Sequence, residues 1–123
     1  MSDFSQTHKP TEIRVKKEEK VLEIDFEDGA SFHLPAELLR VESPSAEVQG
    51  HGPSQKKLVS GRRHVGIMDV EPVGNYAIAI KFDDLHDSGI YTWDGLYDFG
   101  VNQEVIWQAY LEALTKKGLS RDP

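Results

Sequence analysis

Five histidines and no cysteine set the chemistry open to this chain of 123 residues. His86 stands among Asp83, Asp84 and Asp87, so one imidazole and several carboxylates share a short loop. A mixed nitrogen and oxygen set of this kind holds zinc or iron, and His51 would join it if its own loop folded back. His86, Asp83, Asp87 and His51 are therefore the candidate metal ligands. The competing reading is a solvated hairpin loop in which Asp87 or Ser88 organises the turn. The lack of cysteine removes thiolate nucleophiles, disulfides and cysteine-based zinc or iron–sulfur sites.

A second candidate is electrostatic. The chain carries a net charge of −7, yet no acidic residue lies between Val48 and Met68. Lys56, Lys57, Arg62 and Arg63 sit in that stretch with His51 and His64. Without those four bases the rest of the chain has 10 bases against 21 acids, an acidic body with one basic segment. Gly50-His51-Gly52 followed by lysines offers backbone N–H groups and positive charge to an anion or an acidic protein surface. The overall acidity argues against a general nucleic-acid binder. The contact candidates are His51, Lys56, Lys57, Arg62, Arg63 and His64.

Other chemistries find no motif. There is no G-x-x-x-x-G-K-[ST] phosphate loop, no nucleophile elbow and no His-x-Asp pair of an Fe(II) oxygenase. Tyr91, Trp93, Tyr97 and Trp107 could be drawn as an aromatic cage, but their places on a strand and helices favour packing. No apolar run reaches the roughly 20 residues that span a bilayer. The first residues lack the charged and apolar regions of a secretory signal, so a cytoplasmic location is expected.

The elements that must position these residues follow from periodicity. Ile13 and Val15, then Leu22, Ile24 and Phe26, then Phe32 and Leu34 alternate with polar residues as half-buried strands. Asp28-Gly29 predicts a two-residue type I′ hairpin turn. Pro35 opens a short helix. Residues 47–63 hold Gly50, Gly52, Pro53 and Gly61 and predict a long loop. Val65 to Val73 is extended, with Pro72 marking an edge or a bulge. Tyr76, Ile78, Ile80 and Phe82 alternate on the clearest strand, and Ile90 to Trp93 forms another. Asp94 caps a short helical turn closed by Gly100. Asn102 caps the longest helix, in which Trp107, Tyr110, Leu111 and Leu114 form one apolar face. Lys116, Lys117 and then Gly118 suit its C-terminus.

An ordered series of segments carries a resemblance. It comprises Leu39-Arg40, Ser43-Pro44-Ser45-Ala46-Glu47, Gly50-His51-Gly52, Glu71-Pro72-Val73-Gly74-Asn75-Tyr76, His86-Asp87-Ser88 and Gly89-Ile90-Tyr91-Thr92-Trp93. Over about residues 10–117 the chain resembles the gamma-butyrobetaine hydroxylase-like N-terminal domain family. The family includes small stand-alone proteins of unknown function, the front domain of carnitine-synthesis hydroxylases and an end domain of some iron–sulfur carrier ATPases. In those larger proteins other domains do the chemistry, so the resemblance implies an accessory role. It also implies, in the hydroxylases, a zinc site of three cysteines and one histidine. The histidine matches His86, and the cysteines fall where this chain has Ser43, Ser45 and Val48. Serine is a poor zinc ligand and valine is none.

The expected protein is thus α+β, a mostly antiparallel sheet of five or six strands with two or three helices, the longest C-terminal. Residues 1–10 are expected as a flexible tail, 11–118 as a single domain and 119–123 as a short tail. The expected role is a non-catalytic accessory or protein-interaction domain, its partner another protein of iron–sulfur or metalloenzyme kind by resemblance. The alternative is a zinc- or iron-binding protein built on His86. Neither hydroxylase activity nor membrane attachment is expected.

Overall fold

The computed structural model describes residues 7–50 and 52–123. Strands β1 (Pro10–Lys16), β2 (Val21–Phe26) and β3 (Ser31–Pro35) form one antiparallel meander. Strands β4 (Ile67–Val73), β5 (Ala77–Phe82) and β6 (Gly89–Thr92) form another. The expectation of one five- or six-stranded sheet is therefore wrong: the six strands divide into two sheets of three. The reason lies in the connections. Within each sheet, short hairpins place successive strands side by side, whereas residues 36–66 separate β3 from β4 with helices and irregular chain. The strands β1 and β4 do touch, but each carries a proline and a register shift, at Pro10/Glu12 and Ile67/Asp69. Proline and bulges interrupt the row of donors that a shared ladder would need.

The helix count also needs correction. Among the described residues there are four α-helices rather than two or three: α1 (Ala36–Val41), α2 (Ala46–Gln49), α3 (Trp93–Val101) and α4 (Gln103–Lys117). The unexpected one is α2, a single turn in the stretch read as loop. Gly50, at φ 66°, ends it in a conformation that only glycine adopts cheaply.

Alternation along β2, β3 and β5 supplies one continuous core. Leu22, Ile24, Phe26, Leu34, Ile78, Ile80 and Phe82 meet there with Tyr91 and Leu96. Each aliphatic side chain so enclosed contributes roughly 1.5–3 kcal/mol relative to exposure. Helix α3 starts at Thr92, whose Oγ1 accepts the Gly95 N–H, rather than at Asp94. Asp94 instead accepts the N–H groups of Thr7 and His8, and the His8 ring stacks on Tyr97. Helix α4 buries Tyr110 and Leu114 against Val41, with Leu58 and Val59 alongside. Gly118, at φ 66°, closes it, and its N–H and that of Leu119 satisfy late carbonyls of the helix.

The hairpin after β2 differs from the predicted type. Phe26 N–H donates to Ala30 O and Gly29 N–H to Phe26 O, and Gly29 lies at φ 91°. This is a three-residue loop with one left-handed residue, not a two-residue turn with two.

Candidate functional site

Helix α1 is buried along its whole length, including Glu37 and Arg40. A buried charge must be answered, and the two answers assemble the site. Arg121 donates two hydrogen bonds to Glu37, at 2.7 and 2.9 Å, and lies over the Trp107 ring. Arg40 Nε donates to Asp84 Oδ2 at 2.7 Å, in the loop between β5 and β6. The same carboxylate oxygen accepts Arg62 Nε at 2.8 Å, and Oδ1 accepts the His86 N–H at 3.1 Å. Burial alone would push the Asp84 carboxyl up, but these hydrogen bonds hold it below the usual range.

Asp84 thereby presents His86 to the interior. The His86 ring is almost fully buried and points Nε2 at Ser43 Oγ (3.1 Å) and Ser45 Oγ (3.3 Å). The two serine oxygens lie 3.1 Å apart, and the Ser45 N–H also reaches Ser43 Oγ. On the other side of the ring, Nδ1 is 3.4 Å from Glu47 Oε2, whose partner oxygen accepts Ser88 Oγ–H at 2.8 Å. A carboxylate beside Nδ1 favours the proton there, which leaves Nε2 as an acceptor for a serine hydroxyl. Burial, reinforced by Arg40, pushes the His86 pKa down; Glu47, Asp84 and Asp87 pull it up and are outweighed.

Two further residues make room for this cluster. A Cβ on Gly89 would sit 2.7 Å from Ser43 Oγ and 2.9 Å from the Tyr91 ring, so only glycine fits. Tyr91 is buried, donates to Leu39 O at 2.6 Å, and has its hydroxyl pKa pushed up by burial.

The connectivity Ser43, His86, Glu47 is that of a serine–histidine–carboxylate relay. Ser43, however, is 0% exposed, so no substrate carbonyl can reach its oxygen. The groove of about 650 Å³ between α1, the α3–α4 junction and Arg121 is lined by Leu38, Trp107 and carboxylates, with no serine, threonine, cysteine or lysine among its lining residues. The cluster is a closed hydrogen-bonded clasp.

Nor does the clasp fit the zinc site that the resemblance implies. Its donors are one imidazole and two hydroxyls already engaged with it, and Val48, buried in α2, has none to add. Among the described residues no three His, Asp or Glu side chains converge as metal ligands. Asp83 and Asp87 are exposed, and the Asp83 N–H is held by Gly66 O. His51 lies outside the described residues.

The basic segment is laced to the body. Besides Arg62 on Asp84, Lys56 Nζ donates to Glu42 at 2.6 Å and Arg63 pairs with Asp122. Gly61 and Arg63 N–H groups bond the carbonyls of Ser120 and Arg121. Lys57 and His64 are exposed, and the His64 carbonyl accepts Lys20 Nζ. The structure therefore brings Arg62 to the His86 loop through Asp84, and leaves Lys56 and Arg63 on separate acids. The four aromatics do not form a cage: Trp93 bonds Asn75 O, Tyr97 bonds Asp28, and Trp107 packs at a tilt against Tyr110.

Residues 13–97 match the family described as gamma-butyrobetaine hydroxylase-like, N-terminal. The chain belongs to that family. Two solution NMR structures of proteins are each 46% identical with a TM-score of 0.83; they cover 96% and 100% of this chain and are themselves covered to 93% and 92%. A crystal structure of a protein of unknown function from Acidithiobacillus ferrooxidans, described as a DUF971 family member, is 40% identical with a TM-score of 0.61. That likeness covers 72% of this chain and 88% of the other. No curated protein matches the chain. No helix among the described residues is long and apolar enough to cross a membrane.

Sequence reasoning gave no site role to Glu47, Arg40, Glu37 and Arg121, and placed Asp84 and Ser88 in the His86 loop without their partners. One signal was available: in Ala36–Val41 a charged pair interrupts an otherwise apolar helix, which demands partners elsewhere.

Proposed function

We propose that this member of the family is a non-catalytic interaction module, accessory to another protein and acting in the cytoplasm. The observation that carries the reading is the closure of the His86 clasp. The one polar assembly with catalytic connectivity among the described residues is sealed by its own hydrogen bonds, so what the domain offers to other molecules is its surface. That surface is the loop between β5 and β6 with the basic segment laced beside it through Asp84 and Arg62. The partner is another protein, and the resemblance suggests one of iron–sulfur or metalloenzyme kind.

The metal-binding alternative uses His86 with Asp83, Asp87 and His51. It has less support, because Nε2 of His86 faces serines and no trio of ligands converges among the described residues. Metal analysis of untagged protein, joined to size-exclusion chromatography of the chain in native extract, separates the two. A module elutes in a larger complex and carries substoichiometric metal. Stoichiometric zinc or iron with elution as a free monomer would reverse the choice.

A further inference from the structure

The loop between β5 and β6 contains the one left-handed leucine among the described residues. Leu85 lies at φ 73° and is 80% exposed. Both features work against a leucine, since its Cβ is crowded in this region and its side chain gains nothing from water. The same loop geometry occurs elsewhere in the chain. Phe82 N–H donates to His86 O and Leu85 N–H to Phe82 O, just as Phe26 N–H donates to Ala30 O and Gly29 N–H to Phe26 O. At the left-handed position the first hairpin has Gly29, the residue such a turn prefers. The second has Leu85.

Local packing does not explain the difference. Lys20 is also left-handed, at φ 60°, but its Nζ bonds His64 O and its carbonyl accepts the Ala36 N–H. Among the described residues Leu85 has no such compensation, and its neighbours on both sides are fixed. Asp84 is held by Arg40 and Arg62, and His86 by Ser43 and Ser45. An exposed apolar side chain is thus mounted on a rigid base, which lowers the ordering cost of binding through it. The exposed carboxylates of Asp83 and Asp87 flank it, while the charge of Asp84 is already countered by two guanidinium groups.

We infer that Leu85 is the anchor of a protein-docking surface, and that its partner presents an apolar pocket bordered by lysine or arginine. The inference rests on the interaction-module reading and specifies where that module makes contact. Leu85 enters the pocket, and Asp83 and Asp87 pair with the cationic rim.

A diazirine analogue of leucine installed at position 85 of the full chain in its native cell tests this, with the same group at exposed Val105 as a comparison. The expected result is a cross-link from position 85 to one protein, mapped to apolar residues beside Lys or Arg. Asp83→Asn/Asp87→Asn should lower the yield about fivefold or more, and Leu85→Gly should keep or raise the thermal midpoint of the purified chain. Cross-links from position 105 but not from 85 overturn the anchor and leave the module reading standing. Cross-links from neither position overturn both. A cross-link to a second copy of this chain, or to a partner site without cations, overturns the stated partner. A fall of several degrees for Leu85→Gly would make Leu85 a folding residue and remove the argument.

Discussion

Ser43 Oγ and His86 Nε2 lie 3.1 Å apart although 43 positions separate them in the chain, and both are buried. This contact ties the turn between α1 and α2 to the loop between β5 and β6. Its strength depends on a neutral imidazole, because a protonated Nε2 could no longer accept a serine hydroxyl.

The contact makes stability depend on pH in a definite direction. His86 has a folded pKa below its unfolded value of 6.5. At higher pH both states hold a neutral ring and the clasp contributes fully. As the pH falls below 6.5 the unfolded chain takes up a proton that the folded ring resists, so stability declines until the lower folded pKa is reached. Urea unfolding of the native chain and of His86→Gln between pH 5 and 8 measures this. The native curve should fall more steeply below 6.5, and parallel curves would refute the assignment.

Removing the ring altogether is a test of packing. His86→Ala takes from two buried serine hydroxyls the ring nitrogen they share and opens space beside Phe82. The expected loss is about 2–4 kcal/mol, the sum of a small cavity and unsatisfied polar groups. Denaturant midpoints at pH 8, where the pH effect is absent, give the number.

Asp84 has a different load, since it neutralises the buried Arg40 as well as holding the His86 N–H. Arg40 Nη1 is buried with no hydrogen-bond partner among the described residues, so this guanidinium already lacks full solvation. Asp84→Ala should cost about 2–3 kcal/mol, below the range for a fully buried pair because the carboxylate is partly exposed. Arg40→Met in the same chain should recover at least about 1 kcal/mol of that loss. Additive losses in the double-variant cycle would show that the pair does not act as a unit.

Much of the fold was legible because it is local. Alternation at Leu22, Ile24 and Phe26 and at Ile78, Ile80 and Phe82 marks strands, and Gly118 marks the end of α4. The division into two sheets was not legible, since periodicity says which face of a strand is buried and nothing about which edge it pairs with. The clasp was half legible. Family resemblance linked Ser43, Ser45 and His86, but as failed metal ligands. That their hydroxyls and ring satisfy one another depends on a close approach permitted by Gly89, which no local pattern announces.

Gly89 itself is therefore a sensitive position. Gly89→Ala places a methyl 2.7 Å from Ser43 Oγ and 2.9 Å from the Tyr91 ring, both in buried surroundings. Overpacking of this kind costs about 1–3 kcal/mol. Adding Ser43→Ala removes one of the two clashes, so the double variant should lose less than the sum of the singles. Equal thermal midpoints for Gly89→Ala and the native chain would mean that the strand shifts freely there.

The resemblance and the geometry together make a stronger demand on Ser43, Ser45 and Val48. If these positions are where the family's hydroxylases carry cysteine, Ser43→Cys/Ser45→Cys/Val48→Cys should complete a tetrahedral set with His86 Nε2. Three thiolates and an imidazole bind zinc tightly, and a metal bound only by the folded chain raises its stability by mass action. The triple variant should take up one zinc per chain and gain several degrees in thermal midpoint. The native chain should gain nothing at the same zinc concentration, since its hydroxyls are poor ligands already engaged with His86. Adding His86→Ala to the triple variant should weaken the metal, because the fourth donor would then have to be water. A folded triple variant that ignores zinc would mean that Val48 does not face the same point as the two serines. The clasp would then be a hydrogen-bonded contact in its own right rather than the remains of a metal site.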